Sequence, residues 1–497
     1  MKKLLSLLLA LMMCAPAFLS CAETEETASQ DPTSAVSAEQ SSGETAPEET
    51  EVSRENIPDT LPDDLDFGGE TVTFHLRGDD EAYQEVGVEE MTGEPVNDAI
   101  YERNEMISER LNVNLVAFQA EKWDQYNNAI ASLRSSIMAA DGAYDVIGGW
   151  SARIPSLSLE GLLRDLNELP YLDFDQPWWS QSAVEELQIA GKLHFITGDL
   201  SKTMLSAMCI FVFNQKVATD YDIENLYDVV REKRWTVDYV HSLVSDIYVD
   251  ANGNGTVDTA DIFGLTTSSV NDADGFMQGY HVSLISRDEN GLPVLDVDTD
   301  RMTTVVEKTY ELYWNNPGTW AITGDGTDLT PFREDRALLS TTRVSALVST
   351  LAEMESDFGV LPYPLLNEAQ SDYGIRVQDA LSLWCIPIDA KNPEMSAAVL
   401  EALCAQSYRT VTPAYFDVAL KNRYSRDQET AEMMDLIKNS ALINFEQLYN
   451  ESIGNPWFVL RTLMPAKNSN YASYWATNSK VITKMLEKAV EKIQENG

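Results

Sequence analysis

The sequence predicts an α/β protein built as two lobes. Two observations carry this. Between residues 71 and 147, short β-branched and aromatic runs alternate with apolar stripes of helical period. Strand–helix–strand order implies right-handed parallel units. Beyond residue 67 the chain still has about 430 residues, more than one hydrophobic core usually serves. Hydrophobic residues make up 44% of the chain. With a mean hydropathy of −0.24, that is the balance of a soluble protein.

Residues 1–20 read as a signal peptide. Lys2 and Lys3 form a positive start and Leu4–Met13 an apolar stretch too short to span a bilayer. Leu19-Ser20-Cys21 has the form of a lipobox, so Cys21 is the expected lipidation site and first mature residue. That predicts an extracellular protein held to the cell membrane by lipid alone. Residues 21–67 continue as an acidic, Ser/Thr/Pro-rich stretch in which Arg54 is the only basic residue. Such a stretch buries too little apolar surface to offset its ordering entropy, and reads as a disordered tether.

The first predicted strand is Thr71–Leu76. A helix follows over 96–111, with Ala99, Ile100, Met106, Ile107 and Leu111 on its apolar stripe. Next come a strand over Val113–Phe118, a helix over 126–139 and a strand over Ala143–Ile147, ending at Gly148-Gly149-Trp150. Ligands of such sheets sit beyond the carboxyl ends of the strands. Trp150 is predicted there. Met208–Asn214 is a further strand, and 379–386 reads as a strand returning late in the chain. Amphipathic helices are predicted over 427–438 and 478–494.

The most specific local pattern is Arg234–Leu265. Thr236 is a plausible N-cap, with Val240, Leu243, Val244 and Ile247 on one helix face. Asp250, Asn252, Asn254, Gly255, Thr256, Asp258 and Asp261 then match positions 1, 3, 5, 6, 7, 9 and 12 of an EF-hand-type loop. Short oxygen-bearing side chains at alternate positions can wrap a hard cation. Gly at position 6 permits the sharp turn, and Thr256 would offer its carbonyl. Asp261 stands where an EF-hand has Glu. The expectation is structural calcium bound weakly, with Kd on the order of 10⁻⁴–10⁻³ M, in a loop joining helix to strand.

Charge and cysteine content exclude several classes. The formal net charge is −45, and loss of Lys2 and Lys3 with the signal makes it more negative still. That opposes nucleic-acid and anionic-membrane binding. Cys209, Cys385 and Cys404 remain after Cys14 and Cys21 are accounted for. An odd number within apolar runs predicts buried thiols, with a Cys385–Cys404 bridge as the alternative. The four histidines show no metal-ligand spacing. HExxH, GxSxG, Walker A and GxGxxG patterns are absent. An enzyme is not expected.

Several segments, in order, carry a resemblance. They are RNEMISERLNV, YDVIGG, LLRDLNELPYLDFDQPWW, GKLHFITGD, FVFNQKVATDYDIENLYDVV, RWTVD, FGVLPYP and the late run beginning AAVLEALCAQSYRTVTP. After a lipobox and an acidic linker, this order resembles the extracellular solute-binding proteins, family 1, of ABC importers, in particular lipoproteins of gut Firmicutes. The resemblance covers residues 68–497. It implies a periplasmic-binding-protein-like fold: lobe 1 from 68–200 and 365–415, lobe 2 from 201–364 and 416–497, a multi-segment hinge, and a ligand cleft between them. It also implies a monomer that captures a carbohydrate, most readily an oligosaccharide, and delivers it to ABC permease subunits.

Sugars present apolar ring faces and hydroxyl edges, which suit aromatic planes beside carboxylates and Arg. Trp150, Trp178, Trp179, Trp320, Trp384 and Trp457 are the candidate platforms. Asp199, Arg376 and Asp379 are the candidate polar contacts near the expected crossings. Two alternatives stay open on sequence alone: a secreted glycoside hydrolase, for which no acid pair can be named, and a calcium-stabilised cell-surface adhesin.

Overall fold

The computed structural model describes residues 53–416 and 428–496. The expected signal peptide, Cys21, and the tether up to residue 52 lie outside them. Fourteen strands are found among the described residues. They are β1 (Glu70–Leu76), β2 (Val113–Gln119), β3 (Val146–Trp150), β4 (Cys209–Asn214), β5 (Tyr248–Val249), β6 (Ile262–Ser268) and β7 (Ile285–Arg287). The rest are β8 (Pro293–Leu295), β9 (Thr319–Ile322), β10 (Ala337–Arg343), β11 (Phe358–Leu361), β12 (Ile375–Arg376), β13 (Ser382–Cys385) and β14 (Ala441–Leu442).

The first sheet has the order β13-β3-β1-β2. β1 runs parallel to both β2 and β3, as the alternating pattern predicts, with Glu70 opposite Val113 and Phe74 opposite Val146. The helix Pro95–Leu111 links β1 to β2. Glu94 caps it by accepting from the Asn97 N–H, Pro95 needs no donor there, and Asn112 ends it in the left-handed region at φ 49°. The helix Tyr126–Ala139 links β2 to β3. Since β2 and β3 flank β1 on opposite sides, right-handed crossovers put the two helices on opposite faces.

β3 begins three residues later than predicted and contains the Gly148-Gly149-Trp150 run that was expected to end it. The reason is packing. A Cβ on Gly148 would lie 2.5 Å from the Trp384 ring, and one on Gly149 would lie 2.2 Å from the Ile154 side chain. The glycines are what let this strand be covered so closely. β13 then adds antiparallel to β3, with Trp384 opposite Gly148.

The second sheet has the order β11-β4-β10-β6-β5, with β9 also paired to β6. β6 is parallel to β10 and β9, while β4 is antiparallel to β10 and β11. Its core is aromatic: Phe211, Phe276 and Tyr363 pack edge to face at 4.9–6.1 Å. The molecule is thus a two-lobed α/β protein. The chain passes from the first sheet to the second through residues 197–208 and back through 362–381. These segments are knitted together by a Met208–Val377 bridge and by the Gln378 N–H donating to Ala207 O at 2.9 Å. The last passage between lobes, expected at the 415/416 boundary, runs into residues outside the description.

Two expectations need correction. Residues 53–67 are not disordered. Arg54 donates to Tyr408 O at 2.6 Å and to Asp199 at 2.8 Å, and its guanidinium lies 4.0 Å over the Tyr408 ring. Asp59 takes both Arg110, at 2.7 and 2.8 Å, and Arg409, at 3.1 Å. Ion pairs substitute here for the apolar burial the segment lacks. The last helix also runs longer, Tyr471–Glu495, because Asn470 caps it and Tyr471, Tyr474 and Trp475 stack along its first turn. Cys209, Cys385 and Cys404 are free and buried, so the Cys385–Cys404 alternative is not realised.

Candidate functional site

The carboxyl ends of β1 and β3 and the start of β13 meet the loop after β6 and the return segment 376–381. Ser151, one residue beyond β3, donates its hydroxyl to Asp379 O at 2.8 Å, and Arg77, just past β1, donates to Ala380 O. Four charges converge at this junction. Arg376 donates to Asp379 at 3.0 Å and stands 3.7 Å from Asp274. Arg461, from the short helix Val459–Leu463, donates to Asp274 at 2.6 Å and to Asp379 at 3.3 Å.

Arg376 and Asp274 are fully buried, whereas Asp379 and Arg461 keep part of their surface in solvent. Burial pushes Asp274 up to about 6, against the pull of Arg461 and Arg376. Burial also works against the charge on Arg376, but Asp379 and Asp274 outweigh it and raise its pKa. Among the described residues, neither Asp274 Oδ1 nor Arg376 Nε has a hydrogen-bond partner. A buried ion cluster is a costly way to stabilise a fold. One that also leaves a buried acceptor and a buried donor unpaired points to a role other than stability.

Two aromatic planes flank the cluster. Trp150, half-buried, meets the Tyr126 ring edge-on at 5.5 Å, and Tyr126 OH accepts the Trp150 N–H at 2.8 Å. Arg153 lies 4.9 Å from the Trp150 ring and pairs with Glu451. Arg461 itself lies 3.8 Å over Phe458. Beside Arg376 opens a polar cavity of about 200 Å³, lined in part by Asn271, Asp272, Thr327, Arg343, Ser349 and Gln378.

Of the predicted site residues, Trp150, Arg376 and Asp379 come together here. The others do not. Trp178 and Trp179 are buried, and both indole N–H groups donate to the Glu401 carboxylate, at 2.9 and 3.0 Å. Trp384 is buried under β3 and donates to Ser201 Oγ at 2.7 Å. Trp457 is fully buried as well. Trp178, Trp384 and Trp457 are core rings, whereas Trp179, though buried, lines one wall of a cavity of about 390 Å³. Trp320 is half-buried on β9 and stacks on Phe263 at 5.2 Å. Asp199 lies on the first crossing segment, where Arg54 and Thr412 take its Oδ1. It borders the same cavity as Trp179.

Asp274, Arg461, Arg153 and Glu451 went unnoticed in the sequence. One signal was available: Arg461 is a single charge inside Trp457–Met464, an otherwise almost apolar run. The pair Asp272 and Asp274 directly beyond a strand was another.

The 250–261 loop connects β5 to β6, two antiparallel strands, instead of joining a helix to a strand. The short β5 intervenes because Tyr248 and Val249 pair with Phe263 and Ile262. The Asp250 carboxylate collects the N–H groups of Gly253, Asn254 and Gly255 at 2.7–3.2 Å, with Gly255 at φ 70°. Asn252 and Asn254 both turn toward Asp258. Asp261 is buried at the base and accepts from Ala251 N, Asp258 N and Tyr248 OH. Among the described residues no three His, Cys, Asp or Glu side chains converge as a metal site. No helix among them is long and apolar enough to cross a membrane.

No protein-family model and no curated protein matches the chain. Solved structures do. The GacH receptor of Streptomyces glaucescens, determined unliganded and with acarbose, is 14% identical. That match covers 86% of this chain and 98% of the receptor, with a TM-score of 0.50. A cyclo/maltodextrin-binding protein complexed with maltotetraose is 12% identical over 86% of this chain and 96% of its own, with a TM-score of 0.51. An ABC transporter solute-binding protein from Thermotoga lettingae, bound with α-D-tagatose, is 11% identical. It matches over 84% of this chain and all of its own, at a TM-score of 0.52. At these identities the likeness speaks for the fold, and the fold of this chain is that of the solute-binding proteins of ABC importers.

Proposed function

We propose that the protein is a carbohydrate-binding receptor of an ABC importer, anchored by lipid at Cys21 on the outer face of the membrane and acting as a monomer. The observation that carries this reading is the charged, partly open junction at the facing ends of the two sheets, with Trp150 beside it. Sugar hydroxyls both donate and accept. Asp379 would accept from them and Arg461 would donate, both held in place by buried Asp274 and Arg376, while an apolar ring face packs near Trp150. A ligand touching both lobes in the closed form and one in the open form shifts the population toward closure, and a permease can read that state. The solved neighbours are named as binding proteins, which favours binding over hydrolysis.

The test is a thermal-shift screen of the purified protein against mono- and oligosaccharides, followed by calorimetry and analysis of the recovered ligand. A sugar should raise the melting temperature, bind stoichiometrically and return unchanged. Cleaved sugar would establish a hydrolase. No stabilisation by any sugar would remove the carbohydrate reading.

The 250–261 loop is proposed to hold structural calcium. Its donor set is all oxygen: three carboxylates, two amides and the Thr256 carbonyl. The Asn amides now donate to Asp258, and a cation would require them to turn their oxygens inward. The loop would then brace the β5–β6 edge of the second sheet, with no part in catalysis.

A further inference from the structure

We propose that the 200 Å³ cavity beside Arg376 is a subsite for one neutral sugar ring, the end unit of the ligand, held by hydrogen bonds without an aromatic platform. This rests on the carbohydrate reading above and specifies it. The volume is that of about seven waters, enough for one ring and too small for two. No aromatic residue lines it among the described residues. Its walls are mostly hydroxyls, amides, carboxylates and guanidinium groups, with Leu329, Ala346 and Cys209 among them.

Two of these groups are buried and incompletely used. Asp272 accepts from Thr327 and, at 3.1 Å, from Thr341 through Oδ2; its Oδ1 accepts nothing among the described residues. Its loop is fixed by Tyr363 OH donating to Asp272 O at 3.0 Å. Arg376 has no exposed surface, and its Nε has no partner. Arg343, at the rim, uses one N–H on Gln378 at 2.6 Å. The lining thus brings an acceptor, Asp272, and a donor, Arg343, to one small space, with buried Arg376 behind them, which is what a ring bearing adjacent hydroxyls requires. Two arginines against Asp272 and Asp325 leave the lining without excess charge, so an anionic ring gains nothing over a neutral one. Sites of this type discriminate by hydroxyl pattern more sharply than by size, because an analogue lacking one hydroxyl strands a buried polar group.

The cavity borders the charge cluster through Arg376, so a chain lying along Trp150 and Asp379 would end in it. The expected specificity is for the identity of one terminal ring, with looser demands on the rest of the chain.

The test uses Ser349→Trp and Asp272→Asn. Ser349 is exposed at the rim, so a Trp there fills the cavity without entering the core. The probes are glucose, galactose, mannose and xylose with their di- and trisaccharides, measured by calorimetry beside thermal unfolding. Ser349→Trp should melt within about 2 °C of wild type and lose tenfold or more in affinity. The loss should be the same factor for a disaccharide and a trisaccharide that share an end ring. Asp272→Asn should shift the preference among rings. If wild type binds sugar and Ser349→Trp, still folded, binds within threefold, the subsite is refuted and the carbohydrate reading stands. If wild type binds none of the probes, both fall. If Asp272→Asn unfolds, Ser349→Trp decides alone.

Discussion

Trp384→Ala should destabilise the protein by about 4 kcal/mol, the upper range for removing a large core ring. The ring has no exposed surface, meets Phe74 edge-on at 6.4 Å and fills the space left by Gly148. Its N–H is also the donor to Ser201, which lies on the first crossing segment. At roughly 2.1 cal/mol/K per residue over about 430 residues, unfolding entropy is near 0.9 kcal/mol/K, so the melting temperature should fall by about 4 °C. Trp150→Ala should cost under about 2 kcal/mol, since that ring is only half-buried. Thermal unfolding followed by circular dichroism separates the two, and calorimetry with a bound sugar adds the functional side. Trp150→Ala should weaken sugar binding by roughly 30-fold, equivalent to 2 kcal/mol. A Trp384→Ala protein that melts within 1 °C of wild type yet no longer binds sugar would refute the assignment of Trp384 to the core and restore it as a platform.

Burial pushes Glu401 up to about 8 despite the two indole N–H groups that favour its charged form, so the native state keeps a proton that the unfolded chain releases near 4.5. That stability is complete below 4.5, declines as pH rises between the two values and is gone above 8; the melting temperature should fall between pH 5 and 8 in wild type and stay flatter in Glu401→Gln, and equal slopes would mean that the carboxylate is ionised in the fold. Arg54→Ala should lower stability by about 1 kcal/mol in a denaturant titration, because it removes a partly exposed ion pair and a cation–π contact; an unchanged midpoint would show that the 53–67 segment adds nothing. Millimolar calcium should add about 0.4–1.4 kcal/mol at one to ten times Kd, and Asp250→Ala should abolish the gain; a melting temperature insensitive to both calcium and EDTA would remove the metal from the loop.

The scaffold was readable because its signals are local. The stripe Ile100, Ile107 and Leu111 and the β-branched run of β1 needed only neighbouring residues to declare helix and strand. The turn over 250–261 was readable for the same reason, as its Asp and Asn side chains bond to neighbouring backbone N–H groups. The platform residues were not. Trp150 and Trp384 look alike in sequence, each at or within a short apolar strand. What separates them is coverage by segments far away: β3 and Ser201 cover Trp384, while Trp150 stands at the open end of its strand. The burial of the Trp178-Trp179 pair was not readable because its partner, Glu401, lies more than two hundred residues on, inside a helix buried on all sides. Residues 53–67 were misjudged by composition. Their few contacts are ionic and made to distant arginines, which a low-hydrophobicity argument cannot see.

The charge cluster also bears on how closure could be driven. Arg376 and Asp379 sit on the segment that returns from the second sheet to the first, and that segment is bonded to the other crossing at Met208–Val377. Asp274 and Arg461 come from the second lobe and the late helices, and Ser151 from the first sheet. If the proposed reading holds, a ligand hydroxyl that engages Asp379 would act on the joint itself. Moving a two-state equilibrium from 1:99 to 99:1 takes about 5.5 kcal/mol of differential binding. Hydrogen bonds to charged groups contribute about 1.5–3 kcal/mol each. Two or three of them, made only when both lobes are in reach, are enough. The aromatic plane then need not differ between open and closed forms. On the proposed carbohydrate reading, Trp150, on the first sheet alone, would hold the ring in the open protein, while the charges at the joint would supply the part of the affinity that depends on closure.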